Sequence, residues 1–123
     1  MRVKVRASPV SSKKYRVTFE DDNTFIDFGA AGASDYTRHK DPLRMRSYLI
    51  RHGARGVSQR AREETNALTV HKQMLNITSS HREKWGRTGI KTAGFWSRWY
   101  LWSVPTLKGA RAHMTRKFGI VFV

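Results

Sequence analysis

The most constraining feature of this chain is an aromatic segment near its C-terminal end, residues 89–108, which holds three of the four tryptophans. Thr92 can cap a helix that starts at Ala93, and Pro105 cannot continue one because it lacks an amide proton. The spacing predicts a helix over about 93–102. Since aromatic side chains bury roughly 150–250 Å² each, this helix is expected to dominate the core of a small domain. A ligand box, a membrane-surface helix or a partner-binding face are the alternatives.

The predicted core consists of the aromatic residues of this helix and two aromatic residues that precede it in the chain. The six predicted core residues are Phe28, Tyr36, Phe95, Trp96, Trp99 and Trp102. Phe95, Trp99 and Trp102 follow the i, i+4, i+7 spacing of one helical face. The loop from Gly29 to Ser34 is rich in small residues, and we expect it to pack closely beneath the aromatic helix.

Two further elements follow from local signals. Apolar residues alternate in Tyr15–Phe19 and return in Thr24–Phe28 after the turn at Glu20–Asn23, which predicts a β-hairpin over 15–28. Asp41 followed by Pro42 is typical of a helix start, and Gly53 of a helix end, so a helix is predicted over 42–52. With the terminal strands added, the fold class is predicted to be α+β, with a small antiparallel sheet packed against short helices.

The 123 residues fit a single domain. Residues 54–80 are polar and are interpreted as an inserted segment, with an exposed helix around 59–75 capped by Ser58. Residues 1–8 and 118–123 are interpreted as candidate adhesive strands that could join the sheet of a neighbour. Residues 109–117 suit a short basic helix. The N-terminal residues lack the apolar stretch of a signal peptide, and no stretch is apolar enough to span a membrane.

Charge is the strongest global signal, because 24 Lys and Arg oppose nine Asp and Glu, a formal net charge of +15. Such a surface indicates a polyanionic or acidic partner, namely nucleic acid, anionic lipid or an acidic protein. The residues predicted to contact it are Arg44, Arg46, Arg51, Arg55, Arg60, Arg111, Arg116 and Lys117.

The chemistry-bearing residues do not define a reaction. Without cysteine, thiolate metal sites and disulfides are excluded, and the five histidines lack the spacing of a metal site. The acidic residues at 20–27 are interpreted as a solvated turn. No catalytic, metal-binding or cofactor-binding residue is predicted. The best candidates for acid–base catalysis are Asp35 and His39, and the enzyme hypothesis that rests on them is the third choice.

Several short motifs carry a family likeness. They are Phe28-Gly29-Ala30, Ser34-Asp35-Tyr36-Thr37, His39-Lys40-Asp41-Pro42, Tyr48-x-x-Arg51-His52, Trp85 and the segment Gly89–Lys108. In this order they resemble a family of small basic proteins, of unknown function, in large DNA viruses of algae and protists. The resemblance covers roughly residues 13–108 and is most specific at Phe95–Trp102.

The resemblance implies a structural minor capsid protein that bridges capsid components on the inner side of the virion shell after synthesis in the host cytoplasm. Its implied partners are the major capsid protein and other minor capsid proteins, with the anionic inner membrane or genomic DNA as further candidates. No small-molecule substrate is implied. The alternative function is a virion nucleic-acid-binding or DNA-packaging protein.

Overall fold

A computed structural model describes all 123 residues, and it confirms the predicted α+β class. A four-stranded sheet is formed by β1 (Arg2–Ala7), β2 (Lys13–Phe19), β3 (Phe25–Ala30) and β4 (Val121–Phe122). The strands lie in the order β3-β2-β1-β4. β2 pairs antiparallel with β1 and β3, whereas β4 runs parallel to β1. The sheet is therefore mixed, in contrast to the antiparallel sheet that was predicted.

The predicted hairpin is confirmed, and its alternation of side chains divides the sheet into two faces. Val3, Val17, Phe19 and Phe28 are fully buried on the inner face. Residues at the intervening positions point to the opposite side, because successive side chains of a strand alternate. This outer face is basic, and Phe25 is half exposed there.

Six α-helices surround the inner face. They are α1 (Tyr36–His39), α2 (Pro42–Arg51), α3 (Gln59–Glu63), α4 (Ala67–Leu75), α5 (Ala93–Trp96) and α6 (Leu107–Phe118). A 3-10 turn at Arg87–Gly89 precedes α5. The predicted start of α2 is confirmed, since the Asp41 carboxylate accepts a hydrogen bond from the Leu43 amide and Pro42 occupies the first turn.

The aromatic helix consists of α5 and a π-helical continuation, Ser97–Leu101. Thr92 caps it as predicted, accepting a hydrogen bond from the Phe95 amide. Residues 98–103 are all buried, whereas Ala93 is exposed, so the second half of the helix is buried all round rather than along one apolar stripe. The reason is its central position, with the sheet on one side and α4 and α6 on the others.

All six residues of the predicted core are buried. Trp96 lies among the rings of Phe19, Phe28 and Phe122, at centroid distances of 6.1, 5.8 and 6.1 Å. Its indole nitrogen donates a hydrogen bond of 2.6 Å to the carbonyl of Ile90. The aromatic helix therefore packs through Trp96 against three of the four strands, β2, β3 and β4.

The helix predicted over 59–75 is two helices, and it is not fully exposed. Ser58 caps α3 as expected, but the chain leaves the helical conformation at Glu64, whose carboxylate accepts hydrogen bonds from the amides of the next two residues. Asn66 then caps α4, which buries Val70 and Met74 against the core. The prediction erred because a sparse apolar pattern in a polar segment can still supply two core residues. Whether 54–80 is an insertion stays a prediction.

The predicted terminal strands are used within the fold. β1 pairs with β2 over Val3–Ala7 on one edge, whereas β4 covers only Arg2 and Val3 on the other, and the adhesive role of residues 1–8 stays a prediction. Phe118 belongs to α6, which ends at Gly119 in the left-handed conformation (φ 69°), and only Val121–Phe122 forms a strand. One edge of β4 remains free, and its adhesive role stays a prediction.

The small-residue loop meets the aromatic helix at one point only. Gly29 has a φ of +79°, and a Cβ there would lie 2.9 Å from the Leu101 side chain. Residues 30–34 are exposed, and Gly32 has open space around it. The prediction of a closely packed loop is therefore correct for Gly29 and wrong for the rest, because the chain turns outward after β3.

Candidate functional site: a basic cleft

A cleft of about 730 Å³ opens between three parts of the molecule. One wall is the end of β3 with the connector that follows it, the second is α2, and the third is the aromatic helix. Volumes of about 300–1,000 Å³ are typical of ligand sites. The cleft is therefore large enough to hold a ligand or a segment of another protein.

Three of the cations that line the cleft have no partner. The side chains of Lys13, Arg44 and Arg51 form neither a salt bridge nor a hydrogen bond, and all three residues are exposed. Arg44 and Arg51 are seven residues apart on α2 and so project from the same side of that helix, two turns apart. These two arginines were predicted as partner contacts, and the structure places both on the cleft.

The two carboxylates of the cleft are already engaged. Asp35 is almost completely buried, caps α1 and accepts a hydrogen bond of 2.6 Å from the Lys14 ammonium group. Glu83 accepts hydrogen bonds from the His52 ring, at 3.0 Å, and from the Trp85 indole, at 2.9 Å. Because these acids are used within the protein, the three free cations leave an excess of positive charge.

The floor of the cleft is formed by stacked rings. The ring centroid of Tyr48 lies 4.2 Å from that of Trp102, with an interplanar angle of 6°, and 4.0 Å from that of His52 on its other side. His39 lies 5.3 Å from Trp102. Burial raises the pKa of the Tyr48 phenol well above its usual value, so this group stays neutral. The stack therefore contributes an aromatic floor to the cleft.

The candidate acid–base pair has structural roles. His39 accepts a hydrogen bond from the Asp41 amide through Nδ1, and burial lowers the pKa of its ring. Asp35 is held by Lys14 and by the Thr37 amide and hydroxyl. Neither residue forms a hydrogen bond to the other. No group of three or more His, Asp or Glu side chains is arranged to hold a metal ion.

The other predicted contact residues do not converge on the cleft. Arg46 donates hydrogen bonds of 2.8 and 2.7 Å to the carbonyls of Ala61 and Glu64, and its role as a partner contact stays a prediction. Its guanidinium satisfies carbonyls at the end of α3, a demand that the sequence does not show. Arg55 borders a smaller depression of about 490 Å³, and Arg60 is exposed on α3.

The remaining three predicted contacts lie on α6. Arg111 and Arg116 are exposed, and Arg111 donates hydrogen bonds to the Tyr100 hydroxyl. Lys117 is partly buried, with its ammonium group 5.2 Å from the centroid of the Trp99 ring. The basic surface is thus distributed over several elements.

Sequence reasoning missed three cations with defined roles. Lys13 and Lys14, the first two residues of β2, line the cleft. Arg98 is completely buried, and its guanidinium donates to the carbonyls of Trp102, Met74 and Ile77. The only sequence signal for Arg98 is a single charge inside an otherwise apolar helix.

The fold and the cleft define a small basic α+β protein with three unpaired cations at a cleft. Residues 3–52 match the model of a family of unknown function (DUF5754). The match includes β1–β3, α1 and α2, and so the two arginines of the cleft, but it ends before the aromatic helix. No curated protein and no solved structure shows significant similarity to the chain. None of its helices has the length and apolarity required to cross a membrane.

Proposed function

We propose that this chain is a non-enzymatic structural protein that attaches to an acidic or polyanionic partner through its basic surface. The most specific form of the proposal is a minor capsid protein of a large DNA virus, located on the inner side of the virion shell. The family resemblance suggests this setting. The partners would be the major capsid protein and other minor capsid proteins.

The observation that carries the proposal is that the positive charge is not neutralised within the protein. Only Arg2, Lys14, Arg16 and Lys91 form salt bridges with carboxylates, which leaves 20 of the 24 Lys and Arg without one. Mutual repulsion among so many cations opposes a compact state. A partner that supplies negative charge removes this repulsion, which favours a protein that works in an assembled state.

A rigid core supports a structural role. The 21 clustered core residues include all four tryptophans, and Asp35 and His39 are held by structural hydrogen bonds. An attachment protein needs a fixed shape that presents charges in fixed positions. The buried aromatic core and the sheet that packs against it provide such a shape.

Fractionation of purified virions tests the capsid proposal. Gentle disruption that separates shell from genome should leave the protein with the shell fraction and its capsid proteins. Recovery with the DNA core alone, or absence from virions, would contradict it. Cross-linking within intact particles should then join Arg- or Lys-rich peptides of this chain to acidic segments of capsid proteins.

A specific observation favours nucleic acid as the second candidate. On the outer face of the sheet, Lys4 and Arg6 are exposed without partners, and the Arg16 guanidinium lies 3.8 Å from the centroid of the half-exposed Phe25 ring. Exposed sheet faces with cations and an aromatic ring can bind single strands. Binding of duplex or single-stranded DNA that falls steeply with salt, and falls further in a Lys4→Gln/Arg6→Gln variant, would support this candidate.

A further inference from the structure

We propose that the basic cleft is the docking site for an extended acidic segment of a partner protein, with its carboxylates bound by Arg44 and Arg51 on α2 and by Lys13 on the opposite wall. This inference rests on the proposed function and names the kind of ligand that part of the basic surface takes. It assigns this ligand to the cleft and not to the rest of the charged surface.

The first argument is the state of the charged groups in the cleft. Asp35 and Glu83 are saturated by Lys14, His52 and the Trp85 indole, so they do not compete for the free cations. Arg44 and Arg51 have no acceptor of their own. Arginine binds carboxylates through two parallel N–H donors, which gives such a site both affinity and orientation.

The second argument is spacing. Seven residues of α-helix rise about 10.5 Å along the axis, which separates Arg44 from Arg51. In the extended polyproline II conformation the rise is about 3.1 Å per residue with three residues per turn, so side chains three positions apart project to the same side, about 9.3 Å from each other. Two acidic side chains three positions apart on an extended segment can therefore reach both arginines. Lys13 can receive a further carboxylate from the other side.

The third argument is the shape of the opposite walls. Gly29, Ala30 and Ala33 line one wall, and Ala93 and Gly94 line another. With such small side chains, the walls leave room for a polypeptide backbone between them and the arginines. Seven of the 19 lining residues are hydrophobic, and four basic side chains join them, which suits an acidic segment rather than an apolar helix.

The ring stack favours a peptide over nucleic acid in this cleft. Both faces of the Tyr48 ring are covered, by Trp102 and His52, and Trp102 is covered by Tyr48 and His39. Neither face of the Tyr48 ring is free to stack on a base, which is the interaction that single-strand sites use.

The test measures binding of a short unstructured peptide with two glutamates three positions apart, beside the same peptide with glutamines. The variant Arg44→Gln/Arg51→Gln removes the two free cations of α2. The control Lys108→Gln/Arg116→Gln removes the same charge from exposed positions of α6. Thermal unfolding of each variant verifies folding, which we expect to be intact because none of these four side chains has a partner.

We expect the glutamate peptide to bind the unmodified protein and the α6 control alike, and the cleft variant about tenfold more weakly at low salt. In nuclear magnetic resonance spectra of the unmodified protein, the amide shifts that the peptide causes should cluster at residues 29–35, 44–52 and 93–97. The glutamine peptide should not bind.

Equal loss in both variants would show that only total charge matters and would overturn the inference. The absence of peptide binding would also overturn it. The inference would likewise fail if an oligothymidylate competed with the peptide and its binding were lost in the cleft variant. Virion association that survives in the cleft variant but fails in the α6 variant would overturn the cleft assignment while leaving the proposed function standing. If the unmodified protein were absent from virions, the proposed function itself would be overturned.

Discussion

The guanidinium carbon of Arg98 lies 4.2 Å from the centroid of the Trp99 ring, and both side chains are completely buried. No carboxylate compensates this charge. Three backbone carbonyls accept its hydrogen bonds, including those of Met74 and Ile77 at 2.7 and 2.9 Å. Burial lowers the pKa of the guanidinium to about 9, which leaves it charged at neutral pH. Arg98 therefore fastens the end of α4 to the aromatic helix.

Replacing Arg98 by lysine tests this role. Lysine keeps the charge but is shorter and lacks the planar fork, so it cannot serve all three carbonyls or stack on Trp99. Because bonds from a charged donor contribute about 1.5–3 kcal/mol each, we expect Arg98→Lys to lower the free energy of unfolding by about 2–4 kcal/mol in urea titrations. Exposed Arg116→Lys is the matched control and should change it by less than about 0.5 kcal/mol. Equal stabilities would contradict the role.

Trp96 offers a test of the aromatic core. Truncation of a buried tryptophan costs about 3–5 kcal/mol, and Trp96 also bonds the Ile90 carbonyl. We expect Trp96→Ala to unfold at much lower urea concentration, whereas Phe25→Ala on the outer sheet face should be nearly neutral. A Trp96→Ala protein of full stability that had lost a partner would instead identify the aromatic helix as an interface.

Gly89 is required for space rather than for its backbone angles. A Cβ at this position would overlap the carbonyl oxygen of Lys84, a backbone atom that cannot swing away. Overpacking typically costs about 1–3 kcal/mol, and we expect Gly89→Ala to reach at least that range in thermal or urea unfolding. Gly86→Ala, three residues earlier, has open space and should be close to neutral. Similar effects at both positions would contradict the steric argument.

Three histidines make stability depend on pH. Burial lowers the pKa values of His39, His71 and His113 below the ordinary value near 6.5. The unfolded chain therefore binds more protons than the folded one just below that pH. We expect the free energy of unfolding to be highest above about pH 7 and to fall as the pH is lowered toward about 5.

Urea titrations across that interval measure the effect. His71→Gln retains an acceptor for the Tyr36 hydroxyl, which lies 2.7 Å from His71 Nδ1, and it should reduce the slope. His81→Gln, at an exposed position, serves as the control and should leave the slope unchanged. A slope that is flat in the unmodified protein would be the contrary result.

The sequence was most informative where local chemistry determines the conformation. The hairpin, the start of α2 at Asp41-Pro42 and the Thr92 cap each depend on neighbouring residues, and all three were predictable. The burial of the aromatic helix followed from its ring density. In each case the signal is contained within a few residues and does not depend on the rest of the fold.

Long-range relationships were not predictable in the same way. Arg46 and Arg98 look like surface cations in the sequence, yet each satisfies carbonyls of a segment far along the chain. Val70 and Met74 lie in a polar segment and still enter the core. Part of the cleft could be predicted, since Arg44 and Arg51 share a helix face. Lys13 lies near them only because of the way the sheet packs, which the sequence does not show.

We expect the parallel pairing of β1 and β4 to form late in folding. The Val121 amide donates to the Met1 carbonyl and the Val123 amide to the Val3 carbonyl, so these bonds close the longest loops in the molecule. Such closure is entropically costly and slow compared with helix formation. We expect the β1–β2–β3 meander and the aromatic helix to associate first. Until the last strand docks, β1 carries an open row of amides and carbonyls, and the protein is then most exposed to aggregation.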